Sequence, residues 1–381
     1  MIYFDNNATT RVAPEVLDAM TPFLDECWGN PSSAHSAGRQ AALPIAEARE
    51  NLAVLLGATS ADEIIFTGNG SESDNWAIRG AVAASPEKRH IVTTRIEHEA
   101  VRKVCEQLEL DGWRVTWLEV DSDGTLDLDG LRSSLTAETA LVSIMLANNE
   151  TGVIFPVAEA AAIVKERSDA LFHTDAVNAA GKIPIDLRST EIDLLSISGH
   201  KFHGPKGIGA LYIRNGVSFP PGIVGGGQER GLRAGTEAVH QIAGIGAAAK
   251  LVSEKGDTAR IRTMRDRLES EILDSVPNSR LNGCADRTRR LPNTASISFE
   301  NTNGEMIMAE LDRLGICVST GSACHTQDHR ASSVLQAMNV PYSWAMGSIR
   351  FSLGRYNMDD EITRLIDVFP EVIHDLRKLS K

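Results

Sequence analysis

The sequence predicts an α/β protein, with a large domain on a mostly parallel sheet and a smaller α+β domain after it. Three observations carry that prediction. Short apolar runs alternate with helical patterns through roughly the first 250 residues, the order that gives parallel strands covered by helices. The pattern changes near Gly256, where a long polar helical stretch precedes a few strand-like runs. With 381 residues, 42% apolar and 23% charged, the chain is ordinary globular material, large enough for two domains without disulfide staples.

In order, strands are predicted at residues 63–67 (EIIFT), 90–94 (HIVTT), 140–146 (ALVSIML), 170–174 (ALFHT), 193–198 (DLLSIS) and 208–213 (IGALYI). Helical segments lie between several of them, such as residues 156–167. Only Gly/Pro-rich sequence separates DLLSIS from IGALYI, so that pair is expected to run antiparallel. Beyond residue 256, Ile261, Met264, Leu268 and Ile272 recur at helical spacing, which reads as a connector between lobes. Strands follow near 294–299 and 348–352. In the last helix Ile362, Leu365, Ile366 and Phe369 form a stripe that Pro370 is expected to break. The division expected is a large domain at 16–255 and a small one from 1–15 and 256–381.

Charge and composition exclude several functions. The chain carries 38 basic and 51 acidic residues, net −13, which argues against binding nucleic acid or an anionic membrane. Its longest apolar-plus-glycine run, residues 242–249, is far short of a membrane span. The opening MIYFDNNATT lacks the basic and apolar regions of a signal peptide, so a cytoplasmic address is expected. Cys27, Cys105, Cys284, Cys317 and Cys324 are odd in number and contain no C-x-x-C pair. Neither a disulfide framework nor a four-thiolate metal site fits them.

Five segments can carry chemistry. In SGHKFHGPKG, Lys201 lies at a sharp turn between two apolar strands. Burial would favour the neutral amine that a Schiff base requires, with Ser198 and His200 as hydrogen-bond donors to a phosphate; a hairpin with solvent-facing lysines is the alternative. ALFHT runs into Asp175 at the strand end where ligands gather. An aspartate there can pair with a pyridinium nitrogen, or merely cap a helix. Gly68, Gly70 and Ser71 open a helical pattern, as a phosphate cradle does; a capping box of Ser71 with Asp74 is the plainer reading. His98 follows strand HIVTT, where an imidazole can stack on a flat cofactor or exchange protons. Asn149, in the turn NNETG, offers an amide to a substrate carboxylate or a ring hydroxyl.

Taken together these segments resemble the cysteine desulfurase family of pyridoxal phosphate enzymes, of aminotransferase-like fold type I. The resemblance runs through YFDNNATT, GNPSSAHSAGR, IEHEAV, ANNETG, FHTDA, SGHKFHGPKG, GGGQERGLRAGTE, STGSAC and SIRFSLGR. The TGSAC sequence is similar to the nitrogen-fixation and iron–sulfur-cluster type. The resemblance implies that Lys201 forms the Schiff base, Asp175 meets the pyridinium and His98 stacks on the ring. Gly70, Ser71, Ser198 and His200 would hold the phosphate, and Thr236 would reach the partner subunit's cofactor in a homodimer. Asn149 and Arg350 would bind the substrate carboxylate.

Cys324 would be the nucleophile, on a mobile loop rich in small residues, with His98 as the candidate acceptor for its proton. L-Cysteine would become L-alanine, and the sulfur would leave as a persulfide for a sulfur acceptor or an iron–sulfur scaffold protein. A selenocysteine lyase or other β-eliminating lyase, and a scaffold without turnover, are the alternatives.

Three departures from the family pattern stand out. The phosphate loop reads GNGSES where Ser-Gly-Ala-Thr-Glu-Ser is usual. Asn178 replaces the glutamine that contacts the ring hydroxyl. After Cys324, His325 and His329 stand where small residues are usual; these are zinc-ligand types, but the reading adopted is a polar loop with a different acceptor and no metal.

Overall fold

The protein is described from a computed structural model covering residues 1–320 and 331–379. Its first half contains β1 (Ile2–Tyr3), α1 (Pro14–Met20), α2 (Ser36–Leu56), β2 (Ile64–Thr67), α3 (Gly70–Ala84), β3 (His90–Thr94), α4 (Glu99–Leu110), β4 (Arg114–Leu118), α5 (Leu128–Ser134) and β5 (Thr139–Ser143). Then come α6 (Val157–Arg167), β6 (Leu171–Asp175), β7 (Leu194–Ser198), β8 (Gly209–Ile213) and α7 (Val239–Glu254).

The large sheet has seven strands in the order β2-β8-β7-β6-β5-β3-β4. Only β8 runs against its neighbours, β7 and β2, which is the antiparallel pairing expected from the short connection. The parallel strands β5, β6 and β7 are almost entirely buried, as strands covered on both faces must be. The amphipathic α4 shows how the covering helices form: Val101, Val104, Cys105 and Leu108 fall on one buried face. The edge strand β4 is absent from the sequence reading. Its RVTWL is largely half-exposed, so no continuous apolar run marks it. The run 140–146 ends as a strand at Ser143, and Ile144–Ala147 continue into the turn that carries Asn149.

The rest of the chain forms α8 (Thr258–Ser275), β9 (Ser279–Leu281), β10 (Thr294–Phe299), α9 (Gly304–Arg313), β11 (Ile316–Cys317), α10 (Ser333–Ala337), α11 (Tyr342–Ala345), β12 (Ser348–Ser352) and α12 (Asp359–Leu379). An antiparallel sheet β12-β10-β9 packs under α8 and α12. Phe4, Met264, Leu268, Ile272, Ile297, Phe351 and Phe369 belong to this second core. Helix α8 is therefore part of the small lobe rather than a connector, because its apolar stripe is buried against β10.

Helix α12 runs through Pro370, contrary to the break expected. An interior proline costs about 3 kcal/mol. Burial of Phe369 before it and of Ile373 and Leu376 after it offsets that, at about 1.5–3 kcal/mol per fully buried side chain. The lobes also interlock: Cys284, Leu291, Val334, Leu335 and Met338 pack into the large core. Of the other cysteines, Cys105 is buried as a packing residue, whereas Cys27 and Cys317 are half-buried.

Candidate active site

A cavity of about 320 Å³ lies at the C-terminal ends of the parallel strands, the edge where open α/β sheets bind ligands. Ten of the residues expected at the site line it: Gly70, Ser71, His98, Asn149, Asp175, Asn178, Ser198, His200, Lys201 and Arg350. Thr236 is exposed and does not line it. Cys324, His325 and His329 lie outside the described residues. Ser319 and Ser333, on either side of that segment, reach the site: Ser319 bridges to Arg350 and Ser333 lines the cavity.

Lys201 sits where β7 turns back toward β8, in a short 3-10 turn formed by residues 199–201. Its Nζ donates to the carbonyls of Asn7 at 2.6 Å and Ala8 at 3.1 Å. The N-terminal segment is tied over this turn, with Thr10 N–H donating to His200 O and His203 N–H to Thr10 Oγ1. His203 is held at φ 71°, a conformation costly for a residue with a Cβ. Such strain persists only where surrounding contacts fix it, and the Thr10 and Arg11 bonds to His203 do so.

At the opposite wall, α3 opens with Asn69 as its N-cap, accepting from Glu72 N–H at 2.9 Å. This replaces the expected capping box on Ser71; that residue is instead inside the first turn, where backbone N–H groups point out of the helix. A Cβ on Gly70 would stand 2.6 Å from Val177 Cγ2, so only glycine leaves the cradle open. Ser198 Oγ is buried without a partner among the described residues. Burial and the nearby charges of Lys201, Lys206 and Lys182 push His200 down to about 4, so it is neutral at pH 7. An opened helix end, an unsatisfied hydroxyl and a glycine-sized gap together fit a phosphate.

Asp175 ends β6 and accepts from Val177 N–H at 2.8 Å. Burial raises its pKa, while the charges of His98 and Lys201 and that backbone bond act the other way. Two further buried acids line the same wall. Burial, then the charge of Asp175, holds Asp74 well above the usual carboxylate range. Burial pushes Glu97 up to about 8, although its Oε1 accepts from Thr94 Oγ1 and Met145 N–H. Burial raises all three acids, and at Asp175 the charge of Lys201 opposes that rise, which suits this carboxyl to a cationic ring nitrogen.

His98 is the N-cap of α4, its Nδ1 accepting from Ala100 N–H at 3.1 Å. With Nδ1 accepting, Nε2 carries a ring proton and offers the site a donor. To accept the proton of a thiol, His98 would have to release that cap. Arg350 is 3% exposed and engaged, donating to Asn149 O at 3.0 Å and to Asp5 Oδ1 at 2.7 Å. Sequence reasoning missed Asn7, Ala8, Asp74, Glu97, Arg102 and Lys182. YFDNNATT and IEHEAV held three of them, but nothing in the order of residues shows that backbone carbonyls will hold a lysine.

The chain belongs to the aminotransferase class-V family, which matches over residues 2–365. Within that class it is 53% identical to a cysteine desulfurase of Nostoc over 382 aligned positions, covering 100% of this chain and 94% of that protein. It is 46% identical to the cysteine desulfurase NifS of Azotobacter vinelandii, with 100% and 94% covered. A solved NifS-like protein superposes with a TM-score of 0.92 at 41% identity, covering 98% of this chain and all of that one. A structure described as SspA in complex with cysteine gives 0.82 at 35% identity, with 94% and 100% covered.

Proposed function

We propose that this chain is a pyridoxal phosphate-dependent cysteine desulfurase that converts L-cysteine to L-alanine and passes the sulfur on through Cys324. The observation that carries this reading is one cavity gathering Lys201, Asp175, His98 and Arg350 beside an open phosphate cradle. Relatives named cysteine desulfurase along the whole chain support it.

Gly70, Ser71, Ser198 and His200 hold the phosphate, Asp175 holds the ring nitrogen's proton, and His98 covers the ring. Bound there, pyridoxal phosphate supplies an electron sink for bonds at an amino acid's Cα and Cβ. Arg350 and Asn149 orient the substrate carboxylate, with Asp5 behind Arg350 fixing the guanidinium. The Lys201 amine, aimed by the Asn7 and Ala8 carbonyls, takes and returns the Cα proton. Cys324, as a thiolate, attacks the substrate sulfur. A sulfur–sulfur bond forms and the carbon–sulfur bond breaks; the carbon keeps the electron pair, gains a proton and leaves as alanine. The persulfide on Cys324 then goes to an acceptor for iron–sulfur assembly or thiolation.

The reading extends to a homodimer, with exposed Thr236 facing the partner's cofactor, and to work in the cytoplasm, where thiols stay reduced. It keeps the division at 16–255 against 1–15 and 256–381, supported by the two cores despite their interlocking. The test is a visible absorption spectrum with added pyridoxal phosphate, then cysteine addition with assays for alanine and sulfide. Borohydride trapping should place the adduct on Lys201. A colourless protein, or an adduct elsewhere, refutes the reading, and so does Cys324→Ala with unaffected sulfur transfer.

A further inference from the structure

Lys182 has no part in the chemistry above, yet it is built into the site. It lies on the turn after β6, four residues beyond Asn178. Its Nζ donates to Asn178 Oδ1 at 2.7 Å and to Asn7 Oδ1 at 3.2 Å. A lysine bonded this way presents donors only, so both amides must turn their oxygens to it. For Asn7 the consequence is satisfied: its Nδ2 donates to Thr294 Oγ1 at 2.9 Å and to Asn149 O at 3.2 Å. For Asn178 it is not. That residue is 5% exposed and lines the cavity, and its Nδ2 is buried with no partner among the described residues.

An unsatisfied buried amide N–H is costly, and a lock that maintains one marks a missing acceptor. The chemistry of pyridoxal phosphate identifies it. The phosphate, ring nitrogen and aldehyde are matched by the α3 cradle, Asp175 and Lys201. What is left is the phenolic oxygen, on the ring carbon next to the aldehyde and so beside Lys201. Asn178 is connected to Lys201 through Lys182 and Asn7, whose backbone carbonyl takes Lys201 Nζ. We propose that Lys182 is a positioning residue that acts through Asn178, fixing the amide so that its N–H₂ donates to the ring oxygen of bound pyridoxal phosphate. The inference rests on the proposed function.

The charged groups facing Lys182 are Lys201 and Arg350 on the cavity side. Behind it, His203, Lys255, Asp257 and Arg355 surround a second cavity of about 50 Å³. Burial and the two cations hold the Lys182 pKa well below the ordinary lysine value. As an ammonium Lys182 can only donate; as a neutral amine it keeps a proton for each amide oxygen but gains a lone pair, so its hold on Asn178 is firmest when charged.

A donor at the ring oxygen stabilises negative charge there and eases loss of the proton shared with the Lys201 nitrogen. The experiment is a pH titration of the visible absorbance of the cofactor-loaded protein. Lys182→Met should raise the midpoint by about one pH unit, the size of one hydrogen bond. Asn178→Ala should raise it equally, and the double variant no further, because the two residues act in series. Lys182→Arg, which keeps donors, should restore most of the shift. Should Lys182→Met not fold, Lys182→Leu, which likewise removes every donor, should shift the midpoint the same way. An unmoved midpoint, or single shifts that sum in the double variant, overturns the proposal while leaving the proposed function standing. A loaded protein with no borohydride adduct at Lys201 removes both.

Discussion

At the sheet end of the cavity, Ser198 Oγ, Asp74 Oδ1, Glu97 Oε2 and Asn178 Nδ2 are buried without hydrogen-bond partners among the described residues. At the other end, built by the N-terminal segment and the small lobe, several polar groups are engaged with protein. Lys201 is held by the Asn7 and Ala8 carbonyls, Arg350 by Asp5 and Asn149, and Asn7 by Thr294 and Asn293. The contrast separates a ligand that stays from one that leaves. A permanently held group can be given groups that nothing else satisfies, whereas a substrate that exchanges at every turnover needs a site that survives its departure.

The largest test of this contrast is Lys201→Ala, the residue where the two ends meet. It should lower turnover on the order of 10³-fold or more and abolish the borohydride adduct, with protein still folded by circular dichroism. Next, Arg350→Ala should raise KM for cysteine about a hundredfold, the value of a charge-assisted bidentate contact. Cofactor affinity, read by equilibrium titration, should hardly move; a large fall there would merge the two ends.

The acids of the sheet end give a pH test. Glu97 folds with a pKa of about 8 against an ordinary 4.5, so the folded state binds the extra proton between those values. Stability of the cofactor-free protein should therefore fall as pH rises through that window. Glu97→Gln, always neutral, should gain on wild type from pH 5 to pH 8 by about 3.5 kcal/mol, read from denaturant midpoints at each pH.

The smallest effects differ in kind. Asp5→Ala removes the partner of a buried guanidinium and should cost the cofactor-free protein about 2 kcal/mol. Ser198→Ala removes a hydroxyl with no partner among the described residues, so it should leave that stability within about 0.5 kcal/mol of wild type, yet weaken cofactor binding about tenfold. Equal destabilisation by both substitutions would erase the contrast.

The sheet end was also the more legible in the sequence. Asp175, Ser198 and His98 sit at or just beyond the ends of apolar runs, and strand periodicity delivers them to one edge. The other end is made by long-range backbone contacts. Asn7 and Ala8 act on Lys201 through carbonyl groups, which every residue has, and Asp5 meets Arg350 across nearly the whole chain. Asn178 was legible as a departure, but its amine partner was not, since Lys182 shows its role only once the turn after β6 folds it back. Edge strand β4 escaped because its half-exposed RVTWL shows no continuous apolar run, and the unbroken α12 because burial around Pro370 outweighed local preference.

The pairing of β1 with β11, and of Asp5 with Arg350, bears on how the protein is made. The segment carrying β1 and Asp5 gains these partners only after position 350 has emerged, tens of seconds later at roughly 5–20 residues per second. Until then the guanidinium that orients the substrate carboxylate is missing, so a stalled nascent chain should show no desulfuration, however complete its central sheet.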